Sequence, residues 1–217
     1  MLALHVPIAA AIVIAYVAGS IPSASIAGKA HGVDLRQHGS GNLGATNVVR
    51  VLGIRTGALV FLVDTLKGFL PVFFLPQMTG TTQPQMLSLV IGAAAILGHV
   101  RPVFLLGQKG GKGVATAGGV FLGVAWLPAL LAITVWVVVF ATSRYVSVAS
   151  LSASLALPFA FFFTGSAYTD PYFLASIVVA LFVFFTHRAN IGRLRRGEEH
   201  RFVRKPGEKD ASPPHAA

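Results

Sequence analysis

The residues capable of chemistry in this chain are confined to four short polar stretches set between hydrocarbon runs. The first is Gly39-Ser40-Gly41-Asn42-Leu43-Gly44-Ala45-Thr46-Asn47, followed by Arg50. Glycines let a backbone turn tightly and bring its N–H groups close to a ligand oxygen. Ser40, Asn42, Thr46 and Asn47 add neutral hydrogen-bonding groups, and Arg50 adds a guanidinium fork suited to phosphate or carboxylate. An anion is the natural guest. The spacing of Gly39, Gly41 and Gly44 also satisfies Gly-x-Gly-x-x-Gly, but a dinucleotide site needs a preceding strand and a βαβ unit. Here the preceding segment is a long apolar run of helical length.

The second stretch is Gly107-Gln108-Lys109-Gly110-Gly111-Lys112-Gly113. It is not a Walker A sequence, because Leu106 stands where that pattern needs its first glycine and Gly113 where it needs a hydroxyl. The parts of a phosphate cradle are nonetheless present: glycines, two lysines, and a helix starting directly after them whose free N–H groups attract anions. A simple turn would not need four glycines in seven residues.

The third stretch runs from Thr142 to Ser147 and contains Arg144, with Ser150 one turn further on. A lone arginine there is ordinarily a charge that sets membrane orientation. The fourth is His187-Arg188-Ala189-Asn190-Ile191-Gly192-Arg193-Leu194. His187 and Asn190 are three apart and share a face if the helix continues. A lone interfacial histidine is ordinarily a cap, so the catalytic reading depends on all four stretches meeting at one place.

The elements that must bring them together are membrane spans. The chain is 54% hydrophobic with a mean hydropathy of +0.73, and only 11% of its 217 residues are charged, against about 25% in soluble domains. Apolar runs of span length cover about residues 3–27, 56–75, 85–98, 147–164 and 171–186. Residues 114–141 are apolar throughout but contain Gly123 and Pro128, so they read as one helix or as two short ones. The positive-inside tendency decides between them. With two helices there, seven spans result, and the segments 29–55, 99–113, 142–146 and 187–217 fall on one side. Those segments, with Lys67, hold all 17 Lys and Arg. The opposite connections hold none, which places the N-terminus outside and the C-terminus in the cytoplasm. The expected fold is therefore all-α, a polytopic membrane protein of seven transmembrane helices. A membrane domain covers 1–194, and a basic, disordered cytoplasmic tail without chemistry covers 195–217.

Asp64 and Lys67 lie within the second span, three apart on one helix face. They read either as a mutually satisfied structural pair or as support for the site. The chain has no cysteine, which excludes thiolate chemistry, and four of its seven acids lie in the tail, which argues against a carboxylate metal cage. Neither a metal nor an organic cofactor is expected, and no nucleic acid or obligate protein partner is indicated. There is no His-x-x-x-x-Asp, so the general-base pair of the common glycerolipid acyltransferases is missing.

GSGNLGATNVVR (39–50), KGGKGVAT (109–116) and HRANIGRL (187–194) together resemble the three signature motifs of the bacterial acyl-phosphate:glycerol-3-phosphate acyltransferase family. Gly19-Ser20-Ile21-Pro22-Ser23, Asp34-Leu35-Arg36 and Ser143-Arg144-Tyr145-Val146-Ser147 fit the same pattern, so the resemblance covers about residues 15–194. It implies a multi-pass enzyme of the bacterial inner membrane, with its active site on the cytoplasmic side. It also implies transfer of a fatty acyl group from acyl phosphate to the 1-hydroxyl of sn-glycerol 3-phosphate, giving lysophosphatidic acid and phosphate at the start of phospholipid synthesis.

The partners would then be the two phosphorylated substrates and membrane lipid. Carried onto this chain, Ser40, Arg50, Lys112, His187 and Asn190 would hold glycerol phosphate or the reacting centre. Thr46, Asn47 and the loop containing Lys109, Gly110, Gly111, Lys112 and Gly113 would cradle the acyl-phosphate head. Asn42, Arg144 and Arg193 complete the expected binding set, and either Ser147 or Ser150 matches the family's functional serine. Direct transfer by positioning and electrostatics is expected, with His187 or a substrate phosphate taking the proton. A membrane carrier for a phosphorylated anionic solute is the alternative from another class.

Overall fold

The computed structural model describes residues 5–202, and every regular element among them is helical. The first apolar run is not continuous. It forms α1 (Ile8–Gly19) and α2 (Ser23–Ala30), broken at Ile21–Pro22 where proline offers no N–H. At the break the Ile21 carbonyl accepts from the Ser23 N–H at 3.0 Å and from Lys67 Nζ at 2.9 Å. The segment 29–55, read from sequence as polar connection, contains the short helix α3 (Ala45–Leu52), set between Gly44 and Gly53. Gly53, at φ +87°, ends it and starts α4 (Ile54–Met78). The second span thus continues through Pro71 and Pro76 instead of stopping at the latter. Buried prolines of this kind are tolerated where neighbouring helices satisfy the backbone.

Next come α5 (Pro84–Val100), a single 3-10 turn (Val103–Leu105), α6 (Val114–Val124), α7 (Trp126–Ser143), α8 (Val146–Phe163), α9 (Pro171–Thr186) and α10 (Arg188–Arg195). The apolar stretch 114–141 therefore divides in two, with the break at Ala125, between Gly123 and Pro128.

Five helical segments are long and apolar enough to cross a membrane: α1 with α2, α4, α5 with the 3-10 turn that follows it, α7 and α8. The pair α9 and α10, bent by 58° at His187, gives a sixth. At about 1.5 Å per residue, α6 extends only about 16 Å, roughly half a hydrocarbon core. Large side chains such as Phe61, Leu62, Val137, Val138 and Phe185 are more than half exposed, as a lipid-facing surface requires. The molecule is a multi-pass membrane protein.

Tight helix crossings fix the frame. A Cβ on Gly68 would collide with the Thr116 carbonyl, and one on Gly119 with that of Thr65, so α4 and α6 approach backbone to backbone. Gly19 meets Ala95, and Gly98 meets Tyr16, in the same way between α1 and α5. Hydrocarbon gives no hydrophobic drive between helices, so such close packing is what holds them together. Around it lies a core of Ala11, Ala15, Val72, Ile91, Ala117 and Val120.

Candidate active site

The loop before α3 is shaped by Asn47, whose side chain is 1% exposed. Its Oδ1 accepts the Ser40 N–H at 2.8 Å, and its Nδ2 donates to the carbonyls of Leu35 and His38 at 3.0 and 3.1 Å. Gly39 and Gly41, at φ +61° and +69°, provide the left-handed turns this wrapping needs. Asn47 therefore holds the loop together, with its amide satisfied within the protein. Thr46 lies in the first turn of α3, and Asn42 and Ser40 are half-buried beside it.

The loop 107–113 is pinned from three directions. Gly110 donates to the Val100 carbonyl at 3.0 Å, and Arg101 Nη1 reaches the Gly107 carbonyl at 3.3 Å. The Arg36 guanidinium bonds the Gln108 side chain and the Lys109 carbonyl, which joins this loop to the segment before α3. Lys109 itself is exposed, whereas Gly111 and Gly113 are buried and Lys112 is half-buried.

Lys112 points to α10. Its Nζ donates to Asn190 Oδ1 at 2.5 Å, and Asn190 Nδ2 donates to Glu199 Oε1 at 2.7 Å. Arg193 Nε closes on the other Glu199 oxygen at 2.8 Å. Glu199 was not among the residues expected at the site. It lies in the stretch read as a disordered tail without chemistry, but residues 196–202 turn back across the bundle after Gly197 (φ +72°). Phe202 donates its N–H to the Arg144 carbonyl at 2.9 Å and packs its ring against Phe140. Residues 203–217, the remainder of that predicted tail, lie outside the described residues. An acid just past a glycine helix stop, in an otherwise basic stretch, was the available signal.

Arg50 lies over the Phe202 ring at 5.2 Å, with Nη2 3.5 Å from the His200 carbonyl. Burial lowers its proton affinity, the Glu199 charge opposes that, and Arg193 adds to it. Lys112 is pulled down to about 8, first by burial; Glu199 opposes this, while Arg193 and Arg50 push the same way. Arg50, Lys112 and Arg193, separated by up to 143 positions, thus form one cationic cluster around a single carboxylate. Hydrogen bonds from Asn190 and Arg193 hold Glu199 below the usual carboxylate range despite burial.

His187 occupies the bend between α9 and α10 and is 3% exposed. Its Nδ1 lies 2.9 Å from the Val183 carbonyl, which fixes Nδ1–H as donor and leaves the lone pair on Nε2. Burial and the nearby Lys112 charge lower its pKa to about 4, so the ring is neutral at pH 7. Of the two candidate serines, Ser150 accepts from Trp136 Nε1 at 3.2 Å in the α7–α8 interface. Ser147, also buried, lies beside Glu199 with its hydroxyl unpaired in this conformation. Among the described residues no cluster of three or more His, Asp or Glu side chains converges as a metal site would require.

Comparison with known proteins agrees in sequence and in fold. A family model described as glycerol-3-phosphate acyltransferase matches residues 9–197. The glycerol-3-phosphate acyltransferase of Geobacter sulfurreducens is 45% identical over 190 residues, covering 87% of this chain and 94% of that protein. The enzyme of the same name from Aquifex aeolicus is 44% identical over 191 residues, covering 88% and 97%. The crystal structure of PlsY (YgiH), an integral membrane glycerol 3-phosphate acyltransferase in its glycerol 3-phosphate form, is similar at a TM-score of 0.82 and 42% identity, over 90% of this chain and 96% of that one. Its lysophosphatidic acid form is similar at 0.79 and 41%, over 90% and 95%.

Proposed function

The chain belongs to the glycerol-3-phosphate acyltransferase family, and from that premise we propose that it transfers a fatty acyl group from acyl phosphate to the 1-hydroxyl of sn-glycerol 3-phosphate. The supporting observation is the convergence of Arg50, Lys112, Asn190 and Arg193, from three distant segments, around the Glu199 carboxylate. Three cations serving one acid leave charge for incoming phosphates. The two substrates each carry one. Arg50, Lys112, His187, Asn190 and Ser40 are assigned to glycerol phosphate and the reacting centre. Thr46, Asn42 and the N–H groups of 107–113 are assigned to the acyl-phosphate head, with Asn47 as the scaffold of their loop.

In the reaction the glycerol hydroxyl oxygen bonds to the acyl carbonyl carbon while the C–O bond to phosphate breaks. The hydroxyl proton leaves on the departing phosphate. A histidine with a pKa of about 4 is a weak base at neutral pH. His187 Nε2 is assigned instead to orienting the hydroxyl. Acyl phosphate is already activated, so positioning can remove up to ~7–11 kcal/mol of the barrier without a covalent acyl-enzyme. The site lies on the cytoplasmic side of the bacterial inner membrane in a seven-span fold, with α6 and α9 as its short spans.

Purified full-length protein supplied with glycerol 3-phosphate and acyl phosphate is expected to form lysophosphatidate and inorganic phosphate, and to form none with acyl-CoA as donor. Uptake of glycerol phosphate into sealed vesicles without product would instead identify a carrier.

A further inference from the structure

A second polar cluster lies outside the cationic pocket, buried among the α1–α2 break, α4 and α5 beneath the loop 107–113. Asp64 is 1% exposed, and its Oδ1 receives Ser23 Oγ at 2.6 Å and Lys67 Nζ at 2.8 Å. His99, in the last turn of α5 and 5% exposed, holds Nδ1 at 3.6 Å from the same oxygen, without a hydrogen bond. The other edge of its ring faces the glycine loop. The space that a Cβ on Gly111 would need is taken by His99 Nε2 and the Leu43 carbonyl, and that of Gly110 by the His99 carbonyl. A cavity of about 10 Å³, the size of one water, lies among Ser23, Lys67, Leu43, His99 and the two glycines.

Stability alone gives little reason for this arrangement. Removing a carboxylate and an ammonium from water costs energy that their attraction often only offsets, and hydrocarbon of equal volume would serve a core as well. What hydrocarbon would not supply is the joint. The imidazole spans from the Asp64 carboxylate to Gly111, at the point where Leu43 of the first glycine loop meets the second.

We propose that His99, set by the Ser23–Asp64–Lys67 cluster, is a positioning residue that fixes the Gly110–Gly111 turn against Leu43 and so sets the spacing of the two anion-binding loops. The inference rests on reading those loops as sites for substrate phosphates. It extends the Asp64–Lys67 pair from a self-contained structural feature to the footing of the site.

The test uses full-length protein in lipid nanodiscs. His99→Ala is expected to raise KM for at least one phosphorylated substrate about tenfold while kcat changes less than about threefold, the pattern of lost binding without lost chemistry. His99→Gln, whose amide reaches the Nε2 position, is expected to recover most of that KM, and Ser23→Ala to reproduce a weaker form of the defect. Gly111→Ala is expected to raise KM in the parent protein and to add less in the His99→Ala background, where the collision with the imidazole is gone and only that with the Leu43 carbonyl remains. These milder variants keep the test alive if His99→Ala does not fold. A lowered thermal midpoint with both KM values unchanged in the folded fraction would overturn the joint, as would effects of Gly111→Ala and His99→Ala that simply multiply. Failure of the parent protein to turn over would count against the functional reading alone. Thermal stabilisation by inorganic phosphate, expected to be reduced in His99→Ala and kept in His99→Gln, would then decide the joint, and equal stabilisation in both would overturn it.

Discussion

Burial lowers both Lys112 and His187, the Lys112 charge lowers His187 further, and the consequences for each are measurable. The lysine carries its charge below about pH 8 and loses it as pH rises through that value. A pocket that binds phosphates should weaken accordingly, so kcat/KM is expected to fall on the alkaline side with an apparent pKa near 8. That profile reports the free enzyme. Lys112→Arg keeps a permanent charge and should flatten this limb even if overall activity drops. For His187 the consequence is read in stability on the acid side. Its folded pKa of about 4 lies below the ordinary 6.5, so between those values the unfolded chain binds more protons than the folded one. Stability therefore rises with pH across that window and is lost as pH falls through it. His187→Gln should remove this part of the acid dependence in a thermal melt. The same variant tests the proton's route. Obligatory general bases contribute roughly 10²–10⁴-fold, so turnover retained near a tenth would exclude His187 from that role.

At the scale of elements, α10 and the chain that folds back from it complete the site. Glu199 receives both Asn190 and Arg193, and Phe202 lies beneath Arg50 while bonded to the Arg144 carbonyl. Glu199→Ala would release Asn190 and Arg193 and leave the cationic cluster without its anchoring anion. Hydrogen bonds to charged groups contribute about 1.5–3 kcal/mol, so a lower melting temperature together with lost activity is expected. Phe202→Ala is a finer probe. Removal of a cation–π contact worth about 0.5–1 kcal/mol should raise KM for glycerol phosphate by about two- to fivefold, with little change in the melting temperature. Arg144 enters this arrangement through its backbone, at φ +63°, so its charge is free of the Phe202 contact.

For the whole molecule, orientation is the open quantity that experiment reaches most directly. The chain has no cysteine, so single cysteines report without background. Thr82→Cys and Ala167→Cys, in connections without Lys or Arg, are expected to react with a membrane-impermeant thiol reagent in intact cells. Gln108→Cys and Arg195→Cys should react only after the membrane is opened. Labelling of Gln108→Cys and Ala167→Cys from the same side would break the seven-span arrangement.

Much of this was written locally. In hydrocarbon every backbone group must be satisfied within its own segment, so long apolar runs must become helices. The spans predicted at 85–98, 147–164 and 171–186 accordingly match α5, α8 and α9 to within two residues. The glycines, lysines and amides of the motifs likewise pointed to an anion by their own chemistry, an expectation that the proposed function carries forward. What lay beyond local reading was adjacency. Asn47 reads as a ligand until its amide is found wrapped by Leu35, His38 and Ser40, and Glu199 reads as tail until the chain reverses at Gly197. The eight residues of α3 are too few to declare a period, and nothing local to Pro22 shows that the Ile21 carbonyl at the break meets Lys67, 46 positions on. By itself the sequence determined which groups the protein has and which runs become apolar helices, because both follow from side-chain chemistry and backbone satisfaction. Which group faces which was decided by the tertiary structure alone, because that depends on packing between helices far apart in the chain.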